Sequence, residues 1–359
     1  MRSPLISRRG FLRAAGSTFV AGLAPGQLFA LERTDAVFAS AFMDSTGHYG
    51  LATLAEDGSI IDRSPLPNRA HGLAFDPNFN RVVAFARRPG TFAAIFDLNG
   101  SSAPIVIVSP EGRHFYGHGT FSRDGRLLYA SENDFDNARG VIGIYDATDE
   151  FARIGEYPTY GVGPHDLSIS LDGNVLIAAN GGIETHPDFG RTKLNLDRME
   201  PSLVLIDAAS GTMIEKHELP PDFKQLSTRH IALSGNHEVW FACQYEGAHD
   251  DLPPLIGRFR HGEPLEFIYL PEKTARNLAN YVGAIAVNRN EGLVAVTSPR
   301  GGTYVLLDAI SGTVVQEVQL AGASGIAAGL HGFGFSTEGG LFNGRQSPVN
   351  WDQHVVRIG

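Results

Sequence analysis

Three stretches of this chain repeat one pattern at a fixed spacing, and that repeat restricts the fold more than any other feature. They are RAHGLAFDPNFNRVVAFAR (69–87), YGHGTFSRDGRLLYASEND (116–134) and GPHDLSISLDGNVLIAANG (163–181). In each, a His stands beside a small or acidic residue and a short apolar strand follows. A turn rich in Asp, Gly and Asn comes next, then a second strand of β-branched and aromatic residues that ends on polar groups. His71, His118 and His165 lie 47 residues apart (118 less 71, 165 less 118). A period of about 40–50 residues with several short strands per unit is the signature of a β-propeller. No helical pattern of any length interrupts the strands after Asp35, so a single all-β propeller domain over residues 35–359 is expected.

Further units start at Arg229-His230, at Gly283 and at His331, and the chain ends on a strand at His354–Ile358. Six blades would leave two strands unused, and seven would leave two blades one strand short. A ring loses an outer strand more cheaply than it loses closure, so seven blades are favoured over six. Third strands end repeatedly in Asp before a turn (IYDATDE, LIDAASG, LLDAISG), a cadence that resembles the YVTN-type and WD40-like propellers.

The first 30 residues read as an export signal. Ser7-Arg8-Arg9-Gly10-Phe11-Leu12-Arg13 fits the twin-arginine pattern, with Arg8 and Arg9 as the recognised pair. The Ala- and Gly-rich stretch that follows contains Pro25 and falls short of the ~20 apolar residues of a membrane span. The expected location is the periplasm, with no membrane insertion after signal removal. Cleavage after Ala30 removes four arginines and takes the net charge from −10 to −14. So acidic a protein is a poor partner for nucleic acid. The single cysteine, Cys243, sits within a predicted strand, which excludes disulfides and paired-Cys zinc sites and leaves a buried, inert thiol.

A closer resemblance is carried by Ala179-Asn180-Gly181-Gly182-Ile183-Glu184-Thr185-His186-Pro187-Asp188-Phe189-Gly190-Arg191 and by Met199-Glu200-Pro201-Ser202-Leu203. The chain resembles, over essentially its whole length, a family of twin-arginine-exported propeller proteins often encoded beside imelysin-like periplasmic iron-uptake proteins. The resemblance implies a setting in iron acquisition, with such proteins as partners. It implies no set of catalytic residues.

In a propeller the first strand of each blade lines the channel and the second runs back beside it. Strand-initiating His71, His118, His165, His230 and His331 are therefore expected at one channel mouth. The ends of second strands, with Arg87, Glu132, Asn180, Gln244 and Arg300, belong to the same face, as do His186, Asp188 and Arg191 on the insertion after Asn180. Alignment on Phe75, Phe121, Ile169, Leu233 and Phe335 puts His71, His165 and His331 in one column, with His118 and His230 one residue later. These three are the expected metal ligands, with His118, His230 and Glu132 as further ligands or supports. Imidazole suits iron or copper, and binding is expected to weaken below about pH 6.5, where a free His protonates. The competing reading is structural, since a Gly-His pair such as Gly117-His118 can serve to bond a neighbouring loop. Two other functions stand beside a metal-binding accessory protein. One is a lactonase-like or metal-dependent enzyme, for which no nucleophile motif is present; the other is a metal-free interaction scaffold.

Overall fold

The computed structural model describes residues 35–359 except 101–102 and 236–237. Among the described residues, twenty-eight strands, β1 to β28 in chain order, form seven antiparallel sheets of four strands each. The ring is thus seven-bladed, as favoured above, but no blade is short of a strand. Two strand groups escape the sequence pattern. The inner strand β24 (Ala323–Ala328, ASGIAA) has Ile326 as its one β-branched residue and no aromatic, a weak strand signal. The outer strands β26 (Leu341–Phe342) and β27 (Arg345–Gln346) have two residues each. The last unit therefore begins at Ala323, and His331 lies in the turn between β24 and β25 (Phe333–Thr337).

The inner strands are β4 (Ala70–Asp76), β8 (Arg113–Phe121), β12 (Pro164–Ile169), β16 (Leu226–Leu233), β20 (Ala284–Asn288), β24 and β28 (Val349–Arg357). Each packs beside the next around the channel, and β28 closes the circle against β4. The closing blade has mixed origin, because β28 pairs antiparallel with β1 (Phe38–Asp44). Second strands such as β5 (Arg81–Ala86, RVVAFA) and β17 (Glu238–Tyr245, EVWFACQY) are covered on both faces by neighbouring blades, and so read as continuous apolar runs. Outer strands alternate; β11 (Ala152–Pro158) exposes every second residue to a greater degree.

Turn chemistry follows the repeat. Gly125 and Gly173 adopt φ of +72° and +82° in the hairpins that join first to second strands, a conformation a side chain resists. The Asp residues that end third strands, Asp146, Asp207 and Asp308, accept bonds from backbone N–H groups and hydroxyls two or three residues on. One α-helix of six residues, α1 (Glu272–Asn277), occurs among the described residues, and no helix there is long and apolar enough to cross a membrane. The proposed signal, including Arg8 and Arg9, lies outside the described residues.

Candidate metal centre and its basic mouth

Six of the seven inner strands break register with their partner. The shifts fall between Ala70 and Leu73, Phe115 and Gly119, Pro164 and Asp166, Thr228 and His230, and Ala323 and Ile326, and on β28 between Trp351 and Val355. Such bulges re-aim side chains. His71, His118, His165, His230 and His354 all lie in or beside one, and all five turn into the channel. β20 has no register shift against its partner and carries no His. β24 has the bulge but fills it with Ser324-Gly325.

The five imidazoles form a belt. His118 is its hub, with ring centroids 5.0 Å from His71, 5.2 Å from His165, 5.4 Å from His230 and 4.7 Å from His354. Two triads bring their ligating atoms within 4.8 Å of one another: His71, His118 and His354, and His118, His165 and His230. A tetrahedral ion with nitrogen ligands at 2.0–2.1 Å sets them about 3.3 Å apart, so small ring rotations close either triad. The close approach depends on two glycines. A Cβ on Gly72 would strike the Gly117 carbonyl and the His118 ring, and one on Gly117 would meet His71 at 2.6 Å.

Partners distinguish the rings. His165 Nδ1 lies 3.1 Å from the Arg229 carbonyl, which fixes its N–H there. His118 Nδ1 faces Asp166 Oδ1 at 3.3 Å, and His230 Nδ1 is 3.9 Å from Oδ2 of the same carboxylate. That leaves His71 Nδ1, His118 Nε2 and His354 Nε2 enclosed without any hydrogen-bond partner. They belong to the three residues of one triad. Burial pushes all five rings well towards the neutral form, His118 to about 3, with neighbouring imidazoles and Arg87 or Arg229 adding to the effect on the others. Burial also raises Asp166 to about 7, although backbone N–H bonds from Ile231 and Leu167 pull it back.

The belt divides the channel. His71 and His165 line a cavity of about 420 Å³ on one side, His118 and His354 one of about 670 Å³ on the other, and His230 reaches both. The smaller cavity also holds Arg87 with its neighbour Arg88, Arg191, Gln244 and Arg300, as the strand-end argument expected, together with Arg229 and Tyr116, which it did not single out. A further cavity of about 340 Å³, between outer strands of neighbouring blades, is lined by none of the histidines.

Several expected members lie elsewhere. His331 is in an exposed turn, its side chain 86% accessible and beside Glu291, so the expected convergence of His71, His165 and His331 does not occur: His71 joins His118 and His354, and His165 joins His118 and His230. Glu132 is fully buried but occupied by Arg113, Arg153 and the Tyr145 hydroxyl, and belongs to neither triad. Removing it leaves two guanidinium groups short of a buried partner. Glu132→Ala should cost about 3 kcal/mol in urea denaturation while metal titrations stay as in wild type. Asn180 is buried and donates to the Thr159 carbonyl and Ser202 Oγ. His186 sits 3.4 Å from Asp136 and accepts from the Asp188 N–H, with Asp188 itself exposed.

His354 escaped the repeat because its strand is the last in the sequence yet lines the channel as the inner strand of the closing blade. Pairing the C-terminal strand with Val37–Met43 as a closing seam would have placed it. Asp166 was visible beside His165, but its carboxylate reaches across to the His118 of the preceding blade.

The chain is similar in structure to a chain of hydrazine synthase from Kuenenia stuttgartiensis, with a TM-score of 0.63 and 13% identity over 83% of this chain and 89% of that one. At that identity the likeness is one of fold. No curated protein matches the sequence. Residues 64–358, nearly all of the propeller and four of the five belt histidines' blades in full, match a single family, and the chain belongs to it: the family described as protein of unknown function DUF1513.

Proposed function

We propose that the protein binds one transition-metal ion in the His71–His118–His354 triad and serves as a periplasmic metal-binding accessory protein. The observation that carries this reading is the trio of enclosed ring nitrogens without partners. An unpartnered buried polar atom costs about 1–3 kcal/mol, and three in one triad are far more economically explained by a shared ion than by three separate losses. Burial supports it further, because a ligand imidazole must be neutral and these are held neutral. Asp166 on His118 Nδ1 supplies the carboxylate–imidazole contact that orients a metal-bound ring.

Both triads consist of His alone, so the donor set is neutral nitrogen without thiolate or carboxylate. Such a set binds divalent first-row ions in the order that peaks at copper, with ferrous iron weaker. The iron-acquisition setting and partnership with periplasmic iron-uptake proteins come from the family resemblance, export from the Arg8-Arg9 motif, and all three form part of the proposal. The test is elemental analysis of natively exported protein, followed by anaerobic titration of the metal-free form with Fe(II), Cu(II) and Zn(II). One equivalent bound, and loss of that equivalent in His354→Ala, is the expected result. No metal in either experiment would return the belt to a purely structural role.

A further inference from the structure

The 420 Å³ cavity above the belt carries a charge opposite to that of the protein as a whole. Arg87, Arg88, Arg191, Lys193, Arg229 and Arg300 converge on it, against Glu338 as the only acid among the described residues of its wall. Glu246 lies behind Lys193 and Arg229, touching the first and 3.5 Å from the second. Asp352 also acts on Arg87 but is paired with Arg69, so the balance at this mouth stays positive in a chain whose net charge is −10. Gathering like charges in a partly buried space is unfavourable unless something answers them.

The unpartnered atoms point the same way. Arg87 Nε, Arg88 Nη1, Arg229 Nε and the Tyr116 hydroxyl are all enclosed without a hydrogen-bond partner. Each is a donor. Arg229 is 3% and Tyr116 1% exposed, so neither is a surface group that water satisfies freely. Arg229 is built in by the fold: the register shift between Thr228 and His230 turns it towards the mouth while its carbonyl holds His165. Arg88 lies over the Tyr116 ring at 5.4 Å, and Arg300 over Tyr281 at 4.4 Å, which braces two of the cations against aromatic walls. Burial, and after it repulsion by Arg87 and Arg88, depresses Arg191 to about 10, and a bound anion would oppose that shift.

We infer that this mouth is a binding site for a small polyanion bearing two or more carboxylate or phosphate groups. Planar guanidinium forks match both kinds of group, and the volume suits a small metabolite rather than a macromolecular strand. The inference goes beyond the metal reading, because its donors are different side chains and it requires no ion in the belt.

Calorimetry on the full mature protein tests it, after metal removal with the neutral chelator 1,10-phenanthroline and dialysis. Tricarballylate and pyrophosphate are the probes, and whichever binds tighter identifies the carboxylate or the phosphate class. Micromolar binding at low salt is expected, weakening at least tenfold as sodium chloride rises from 50 to 500 mM. Arg88→Gln, at a half-buried position that tolerates the change, should weaken it about tenfold, and Arg229→Met, which keeps the apolar bulk, by more. Absence of binding at millimolar concentrations of both probes overturns the inference. So does binding that ignores salt and both substitutions. Because the protein is metal-free throughout, failure here leaves the metal proposal standing, and failure of metal titration leaves this one standing.

Discussion

His118→Ala should abolish metal binding altogether, whichever of the two triads would hold the ion. His118 is the one residue common to both triads. Its ring contacts those of the other four histidines, so neither triad can be completed from the remaining rings. The readout is metal-induced stabilisation: an ion supplied at about a thousand times its dissociation constant adds about 4 kcal/mol to the unfolding free energy. Wild type should show that gain in urea or thermal unfolding, and His118→Ala should show none. Comparing each protein with and without metal removes any change in baseline stability from the cavity the substitution leaves. His331→Ala, in its exposed turn, should keep the whole effect. Full metal-induced stabilisation in His118→Ala would place the ion, if one binds, outside the belt.

Acid should destabilise the metal-free protein steeply, beginning near pH 6. Each belt imidazole has a folded pKa pushed below its ordinary 6.5, so its stability contribution is complete above that value and is lost as pH falls beneath it. The unfolded chain takes up the protons that the folded one refuses. One proton per pH unit corresponds to about 1.4 kcal/mol, so five rings together set a limit near 7 kcal/mol per unit. Asp166 acts in the other direction. Its folded value of about 7 exceeds the ordinary 3.8, so the stability it contributes is full below 3.8 and declines as pH rises through 7, which offsets one ring and leaves about 5 kcal/mol per unit. Urea midpoints between pH 7.5 and 5 measure the slope, and the double variant His71→Gln, His165→Gln should flatten it by roughly half. A level profile across that range would contradict the burial argument. The same burial moves the expected weakening of metal binding below the pH 6.5 that a free imidazole implies, since the folded rings stay neutral there.

The 47-residue spacing made the propeller readable because each blade must bury two faces of its second strand, and that requirement writes an apolar run into every unit. It also made His71, His118 and His165 readable, and His230 followed as the start of the next unit. The alignment column failed in a particular way. It assumed inner strands of uniform register, whereas the bulges shift the inward position by a residue or more, so His118 and His230 belong with His71 and His165 after all. His331 entered the column because Phe335 resembles the strand apolars of other blades, but Phe335 lies on the second strand of its own blade. Glu132 illustrates a separate limit. A sequence shows a carboxylate at a strand end but not the arginines, here Arg113 and Arg153, that arrive to neutralise it. The basic mouth was only half visible, since Arg229 looked like the neighbour of a ligand and not like a group aimed at the solvent-facing side of the belt.

The closing blade gives the two triads different histories. His118, His165 and His230 come from three successive blades, so their triad needs only neighbouring units to have docked. The other joins positions 71 and 354 of the same chain and exists only after β28 has slid in beside β1 and β4. Bringing such distant segments together carries a loop-closure cost and is a late event in folding. A growing chain would therefore offer an incoming ion a provisional set of ligands first, and the set with the unpartnered nitrogens only once the ring is shut. Occupancy of the second triad would then be a chemical record that the last strand has reached its place.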